Sequence, residues 1–190
     1  MATDTAPHGA ENVPTQKKLD DLYGLIDGIS VAMFTTRRPD GQLVSRPMQT
    51  QERNGAADFW FVTDVDHHKL DELEQDLHVN LSYYRDRTRE WVSVSGTARI
   101  SHDREQIRRL YKPDWKAWFG DEGGDRDGGP DDPRITLVLV DAESVVYMKS
   151  DTPRPVVLFE VVKGMVTGQH PDVGSVRVVS SGEMHGSREA

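Results

Sequence analysis

Residues 45 to 69 read SRPMQTQERNGAADFWFVTDVDHHK, and the rest of the chain is organised around them. Ser45 to Gln51 alternates side chains and carries one arginine, Arg46. Glu52 to Asp58 is polar and holds Asn54-Gly55, a strong signal for chain reversal. Phe59 to Thr63 is aromatic and β-branched. After it come DVDHHK and then LDELEQDL, whose leucines recur at helical spacing. The stretch predicts a hairpin whose second strand runs into a helix start, with Thr63, Asp64, His67, His68 and Lys69 at the junction.

Such a junction suits an anion. A helix start offers unpaired N–H groups and the positive end of a dipole. Lys69 and His68 add charge, Thr63 adds a hydroxyl, and Arg46 on the partner strand is within reach of the same place. Arginine, lysine and backbone N–H groups together match the needs of a phosphate monoester. The same residues also read as a capped helix with solvated charges, and spacing alone leaves both readings open.

Arg46-Pro47-Met48, the aromatic strand ending in Thr63-Asp64, and the helix opening at Lys69 together resemble the FMN-binding split β-barrels related to pyridoxamine 5′-phosphate oxidase, in their general stress protein branch. The resemblance runs from about Gln16 to Met165. It implies a mainly β chain with flanking helices, folded as a six- to seven-stranded antiparallel split barrel. It also implies an FMN-binding oxidoreductase, with FAD as the alternative flavin, held at the interface of a homodimer. Arg46, Thr63, His68 and Lys69 would then hold the phosphate, with Asp64 a further cofactor-binding residue. The backbone of Pro47, Met48, Gln49 and Val62 would line the ring, and Trp91 and Trp118 would cover it from the partner chain. As residues, the two tryptophans read equally well as core or dimer packing. Two departures weigh against oxidation of pyridoxamine phosphate itself. His68 stands where the oxidases place an arginine, and the chain ends in MHGSREA without their Trp- and Arg-containing segment. A non-catalytic flavin carrier, or the same barrel holding pyridoxal phosphate, haem or a deazaflavin, are the competing readings.

Composition narrows the rest. A chain of 190 residues is expected to form one domain with a sizeable core. The net charge of −9 argues against general affinity for nucleic acid or anionic membranes, which makes a local cationic pocket more informative. There is no cysteine, which excludes disulfides, thiolate metal sites and cysteine nucleophiles. No apolar run approaches the ~20 residues of a membrane span. The N-terminus lacks a basic region and an apolar core, so a cytoplasmic protein is expected.

In chain order, residues 1 to 14 read as a disordered tail, 15 to 166 as the barrel domain, and 167 to 190 as a poorly ordered extension. Thr15 is the expected cap of a first helix that Gly28 ends. Strands are expected at Ile29 to Thr36, Leu43 to Gln51, Asp58 to Thr63, His78 to Tyr84, Glu90 to Ser101, Ile135 to Val140 with Ser144 to Met148, and Val156 to Met165. Leu70, Leu73 and Leu77 give the second helix its apolar stripe. Gly96 marks a bulge or bend, and Asp103 caps a helix over 104–111. The histidines are scattered, so no metal site is expected. The acidic run of Asp121, Asp125, Asp127, Asp131 and Asp132 reads as a solvated loop, without the ligand order of a calcium site.

Overall fold

A computed structural model of the chain describes residues 13–53, 57–150 and 174–186. Residues 1–12 of the tail expected over 1–14, the Asn54-Gly55 turn and the strand over 156–165 lie outside the described residues.

The chain opens with α1 (Thr15–Ile29), whose Leu19, Leu22, Leu25 and Ile26 fall on one buried face. Thr15 is the first helical residue rather than the cap; Pro14 precedes it and no side chain caps the helix. The helix runs one residue past Gly28 and stops at Ser30, whose left-handed φ of 65° turns its N–H back to the carbonyl of Ile26. Next come β1 (Val31–Arg37), β2 (Leu43–Gln49), β3 (Phe59–Asp64), α2 (Lys69–Gln75), β4 (His78–Arg85) and β5 (Glu90–Ser101). The chain continues through α3 (Arg104–Leu110), α4 (Trp115–Phe119), β6 (Ile135–Lys149), β7 (Ser175–Ser180) and α5 (Ser181–Gly186).

All pairings are antiparallel, in the order β2-β1-β4-β5-β6-β3, with β7 added to the far half of β6. The two ends of this path meet at one place. Thr50, just past β2, bridges Phe61 of β3, and the N–H of Gln51 donates to the carbonyl of Trp60 at 2.8 Å. The curled sheet thus closes as a barrel whose β2–β3 seam is narrow, which is the expected split-barrel, mainly β architecture.

Strand parity fills the interior. Ala32, Phe34 and Thr36 of β1 are buried while Val31 and Met33 between them are exposed. Phe34 meets Phe61 edge-on at 5.2 Å, and α1 lays its apolar face into the same core. The alternate residues of β3 serve a second cluster outside the barrel. There Trp60 packs with Ile135, Leu137, Leu139, Ile107 of α3 and Trp115 of α4. Asp103 caps α3 as expected, accepting from the N–H groups of Glu105 and Gln106.

Gly96 is the bend. Register passes from Ser95 opposite Ser144 to Gly96 opposite Ala142, which leaves Glu143 as the extra residue. A Cβ at position 96 would sit 2.2 Å from the carbonyl oxygen of Asp141, so only glycine lets the strands approach here. The bulge also explains why Ile135 to Val140 and Ser144 to Met148, expected as two runs, form one strand that turns a corner.

Three further expectations are corrected. Leu77 is exposed, because α2 ends at Gln75 and the chain is already extended at Asp76. The C-terminal extension was expected to be poorly ordered, yet β7 extends the sheet from β6 and α5 follows. Val179 and Met184 bury completely in the core. Val176, Val178 and Val179 are too few to stand alone and gain their stability from the edge of β6. The acidic loop is not simply solvated, because Asp132 is fully buried against Arg134. Arg134 also donates to the carbonyls of Phe119, Gly120 and Arg126, so a single guanidinium organises the loop. Burial would raise the Asp132 carboxyl, but the bonds from Arg134 and Gly128 win and hold it down at about 2.

Candidate functional site

The site is built where β3 runs into α2 at one end of the barrel. Asp64, the last residue of β3, makes the turn: its carboxylate accepts from the N–H of Asp66 at 2.9 Å. The N–H of His67 donates to the Asp64 carbonyl at 3.2 Å, and that of Val65 donates to Arg134 at 2.7 Å. The turn is therefore fixed from below by the loop that Arg134 organises. Beside it lies a cleft of about 320 Å³ lined by Asp64, Asp66, His67 and His68.

Lys69 opens α2 and folds back toward the strand. Its Nζ donates to the hydroxyl of Thr63 at 2.5 Å, and the residue is only 7 % exposed. An ammonium group has three N–H donors. Among the described residues this is its one hydrogen bond, and no carboxylate comes within 4.0 Å of it. Burial lowers the Lys69 pKa to about 8, assisted by the nearby Arg46 charge and resisted by Asp64 and Glu72. Its neighbours therefore leave Lys69 a buried and poorly compensated cation.

Arg46 comes from β2, on the inward side of its pair with Phe34. It donates to the Thr36 hydroxyl and to a Glu72 carboxylate oxygen, each at 2.8 Å. Thr36 donates in turn to the other Glu72 oxygen at 2.5 Å. Burial would raise the Glu72 carboxyl, but Arg46 and Thr36 bring it below its ordinary value. Burial and then the charges of Lys69 and Arg46 lower the imidazole of His67, which keeps it neutral near pH 7.

The structure thus brings Arg46, Thr63, Asp64 and Lys69 to one barrel end, as the sequence suggested. It does not bring the other named residues to that point in the same way. The side chain of His68 is 91 % exposed, with its ring 3.8 Å from Asp71, and His67 is the histidine that senses the two cations. Pro47 and Gln49 are exposed on the outer side of β2, whereas Met48 points into the core. Val62 packs half-buried against the second cluster. Trp91 pairs with Tyr84 and Met148 at the opposite end of β5 from Ser101. Trp118 is 87 % exposed on α4.

The sequence reading missed Glu72. Its signal was available, since it stands three residues after Lys69 on a short helix and so shares a face with it. What the sequence lacked was the tertiary pairing to Arg46. The carboxyl groups of Glu72 and Asp64 oppose the charges of Arg46 and Lys69 in sum, though not in position.

An antiparallel split barrel with Arg46, Thr63 and Lys69 gathered behind the β3–α2 turn defines the fold class and its candidate site. Comparison with known proteins identifies the class. Residues 17–172 match the family described as pyridoxamine 5′-phosphate oxidase like, and the chain belongs to that family. It is 36 % identical over 181 residues to protein bli-3 of Neurospora crassa, a match covering 94 % of this chain and 87 % of that protein. In structure it resembles a putative general stress protein 26 from Jannaschia sp. CCS1, with a TM-score of 0.66 and 20 % identity, over 87 % of this chain and 99 % of the other. It also resembles the general stress FMN/FAD binding protein of Xanthomonas citri, with a TM-score of 0.55 and 26 % identity, over 68 % and 87 % of the two chains. No helix among the described residues is long and apolar enough to cross a membrane.

Proposed function

We propose that this chain is a flavin-binding oxidoreductase of the general stress type, which holds the phosphate of FMN on Lys69, Thr63 and Arg46. The observation that carries this reading is the buried Lys69 ammonium, which among the described residues has one hydroxyl acceptor and no counter-ion in contact. A phosphate oxygen would accept from its remaining donors and supply the missing negative charge. The fit is chemical as well as electrostatic: a guanidinium, an ammonium and a hydroxyl are a donor set suited to a phosphate ester. Membership of the family and the likeness to a protein that binds FMN or FAD support flavin as the rest of the ligand.

When bound, FMN supplies hydride or electron transfer at its ring. The residues of this chain would anchor and orient it. Asp64 and His68 border the cleft beside the anchor. The main chain of Pro47, Met48, Gln49 and Val62 would pass along the ring. Trp91 would reach it from a second copy, and Trp118 would close over its edge.

A homodimer is part of the proposal. The outward face of the sheet carries Val31 and Met33, 41 % and 43 % exposed, with Tyr84, Trp91 and Val178 on the same side of the barrel. Exposed apolar side chains on a sheet face, here set around the polar Asn80, Ser82, Ser93 and Ser95, suit an isologous contact. The reading is tested by titrating the apoprotein with FMN and FAD, following quenching of flavin fluorescence, and then measuring NAD(P)H oxidation and the mass in solution. Micromolar or tighter flavin binding by a dimer is expected. A monomer indifferent to both flavins would overturn the proposal. Binding without nicotinamide turnover would retain the flavin and remove the enzyme.

A further inference from the structure

We infer that Glu72 is a built-in competitor for the ligand's phosphate, and that it sets how much anionic charge the pocket accepts; the inference rests on the proposal that Lys69 and Arg46 hold a phosphate. Glu72 is a buried carboxylate whose two oxygens are spoken for: Oε1 accepts from Arg46 at 2.8 Å and Oε2 from Thr36 at 2.5 Å. Arg46 also donates to the Thr36 hydroxyl, so the ring of three is closed without any ligand. Glu72 also lies close enough to Lys69 to act on its charge.

The consequence is a matter of charge balance. Arg46 and Lys69 contribute two positive charges, while Glu72 and Asp64 contribute two negative ones. A phosphate monoester carries about 1.5 to 2 negative charges near neutral pH, whereas each phosphate of a diester or pyrophosphate bridge carries one. With Glu72 present the pocket gains less from the second charge of a monoester than it would without it, although Lys69 itself still lacks a contacting anion among the described residues. Glu72 therefore narrows the advantage of FMN over FAD, and the ligand class becomes flavin nucleotides of either kind rather than monoesters alone. Without Glu72 the same donors would favour the monoester.

Glu72→Gln is the informative change, because the amide keeps an oxygen for Arg46 and the same volume. Thr36 can turn its hydroxyl to accept from the new NH₂ group. The guanidinium therefore stays in place and only the charge is lost. The experiment measures Kd for FMN, FAD and riboflavin in the wild-type protein, Glu72→Gln and Glu72→Asp. Riboflavin lacks the phosphate and reports the ring contribution alone. Glu72→Gln should tighten FMN by roughly tenfold, tighten FAD by roughly threefold, and leave riboflavin unchanged. Glu72→Asp, which retains the charge, should keep the wild-type preference.

Should Glu72→Gln fail to fold, Glu72→Met removes the same charge at similar volume but also the acceptor of Arg46, so a tightening of FMN relative to riboflavin despite that loss supports the inference and an equal or weaker preference overturns it. If wild type prefers FMN to riboflavin and Glu72→Gln weakens or preserves that preference, Glu72 is a positioning residue for Arg46, and the inference is overturned while the proposed function stands. If wild type does not distinguish FMN from riboflavin, both fall.

Discussion

Replacing Lys69 by methionine should make the ligand-free protein more stable while destroying its affinity for phosphate. Lys69 sits in the fold with its pKa at about 8 instead of 10.5. That difference of 10.5 − 8, or 2.5, corresponds to about 3 kcal/mol of unfavourable free energy for the charged form at pH 7. Methionine fills a similar volume and removes the charge, but it loses the hydrogen bond to Thr63, worth about 1 kcal/mol. The net gain is about 2 kcal/mol, or roughly 4–8 °C in Tm for a domain of this size. The sign with pH is fixed by the depressed pKa. Between 8 and 10.5 the unfolded chain binds more protons than the folded one, so wild-type stability rises through that window. At pH 10 the residual cost of the lysine falls to about 1 kcal/mol, and the advantage of methionine disappears. Urea unfolding of both proteins, ligand-free, at pH 7 and pH 10 reads this directly, with the slope of the transition checked for constancy. A Lys69→Met protein less stable than wild type at pH 7, or one whose difference from wild type ignores pH, would show that the ammonium is well compensated. The argument for a waiting anion site would then be wrong.

Two further changes test the frame around the site. Arg134→Ala leaves the carboxylate of Asp132 buried without its cation, and frees the carbonyls of Phe119, Gly120 and Arg126. It should destabilise the protein by about 3–5 kcal/mol in chemical denaturation, and a loss below 1 kcal/mol would contradict the role given to it. Met184→Ala removes the one fully buried side chain of α5 and should cost about 2–5 kcal/mol. Proteolysis confined to the C-terminus of that variant, with the barrel intact, would agree with β7 and α5 docking on the sheet; unchanged resistance would not.

Much of this molecule is legible in its sequence because its elements are locally determined. The alternation from Glu90 to Ser101 gives β5 to the residue, and Asp103 announces α3. Gly96 marks the bulge because close approach of two backbones excludes any Cβ. The turn from Thr63 to Lys69 is readable because strand and helix periodicities change within it. What escaped depends on partners far apart in sequence. Glu72 looks like a helix-surface acid until Arg46, twenty-six residues before it, is laid across it. Asp132 belongs to an acidic run and is distinguished only by the guanidinium that buries with it. His67 and His68 are adjacent, and which of them faces the cations depends on the handedness of one turn. The valines of β7 carry too weak a pattern to be read as a strand without the edge of β6 beside them.

The central claim is that Lys69 is held charged and under-compensated until a phosphate arrives. Its most direct test is an NMR titration of the Lys69 side chain, followed through its ε-carbon, in the ligand-free protein and in the presence of saturating FMN. The account predicts a pKa near 8 without ligand, rising to roughly 10 or above when a phosphate supplies the missing charge. A pKa already at the ordinary lysine value in the free protein, or one that FMN leaves unmoved, would contradict it.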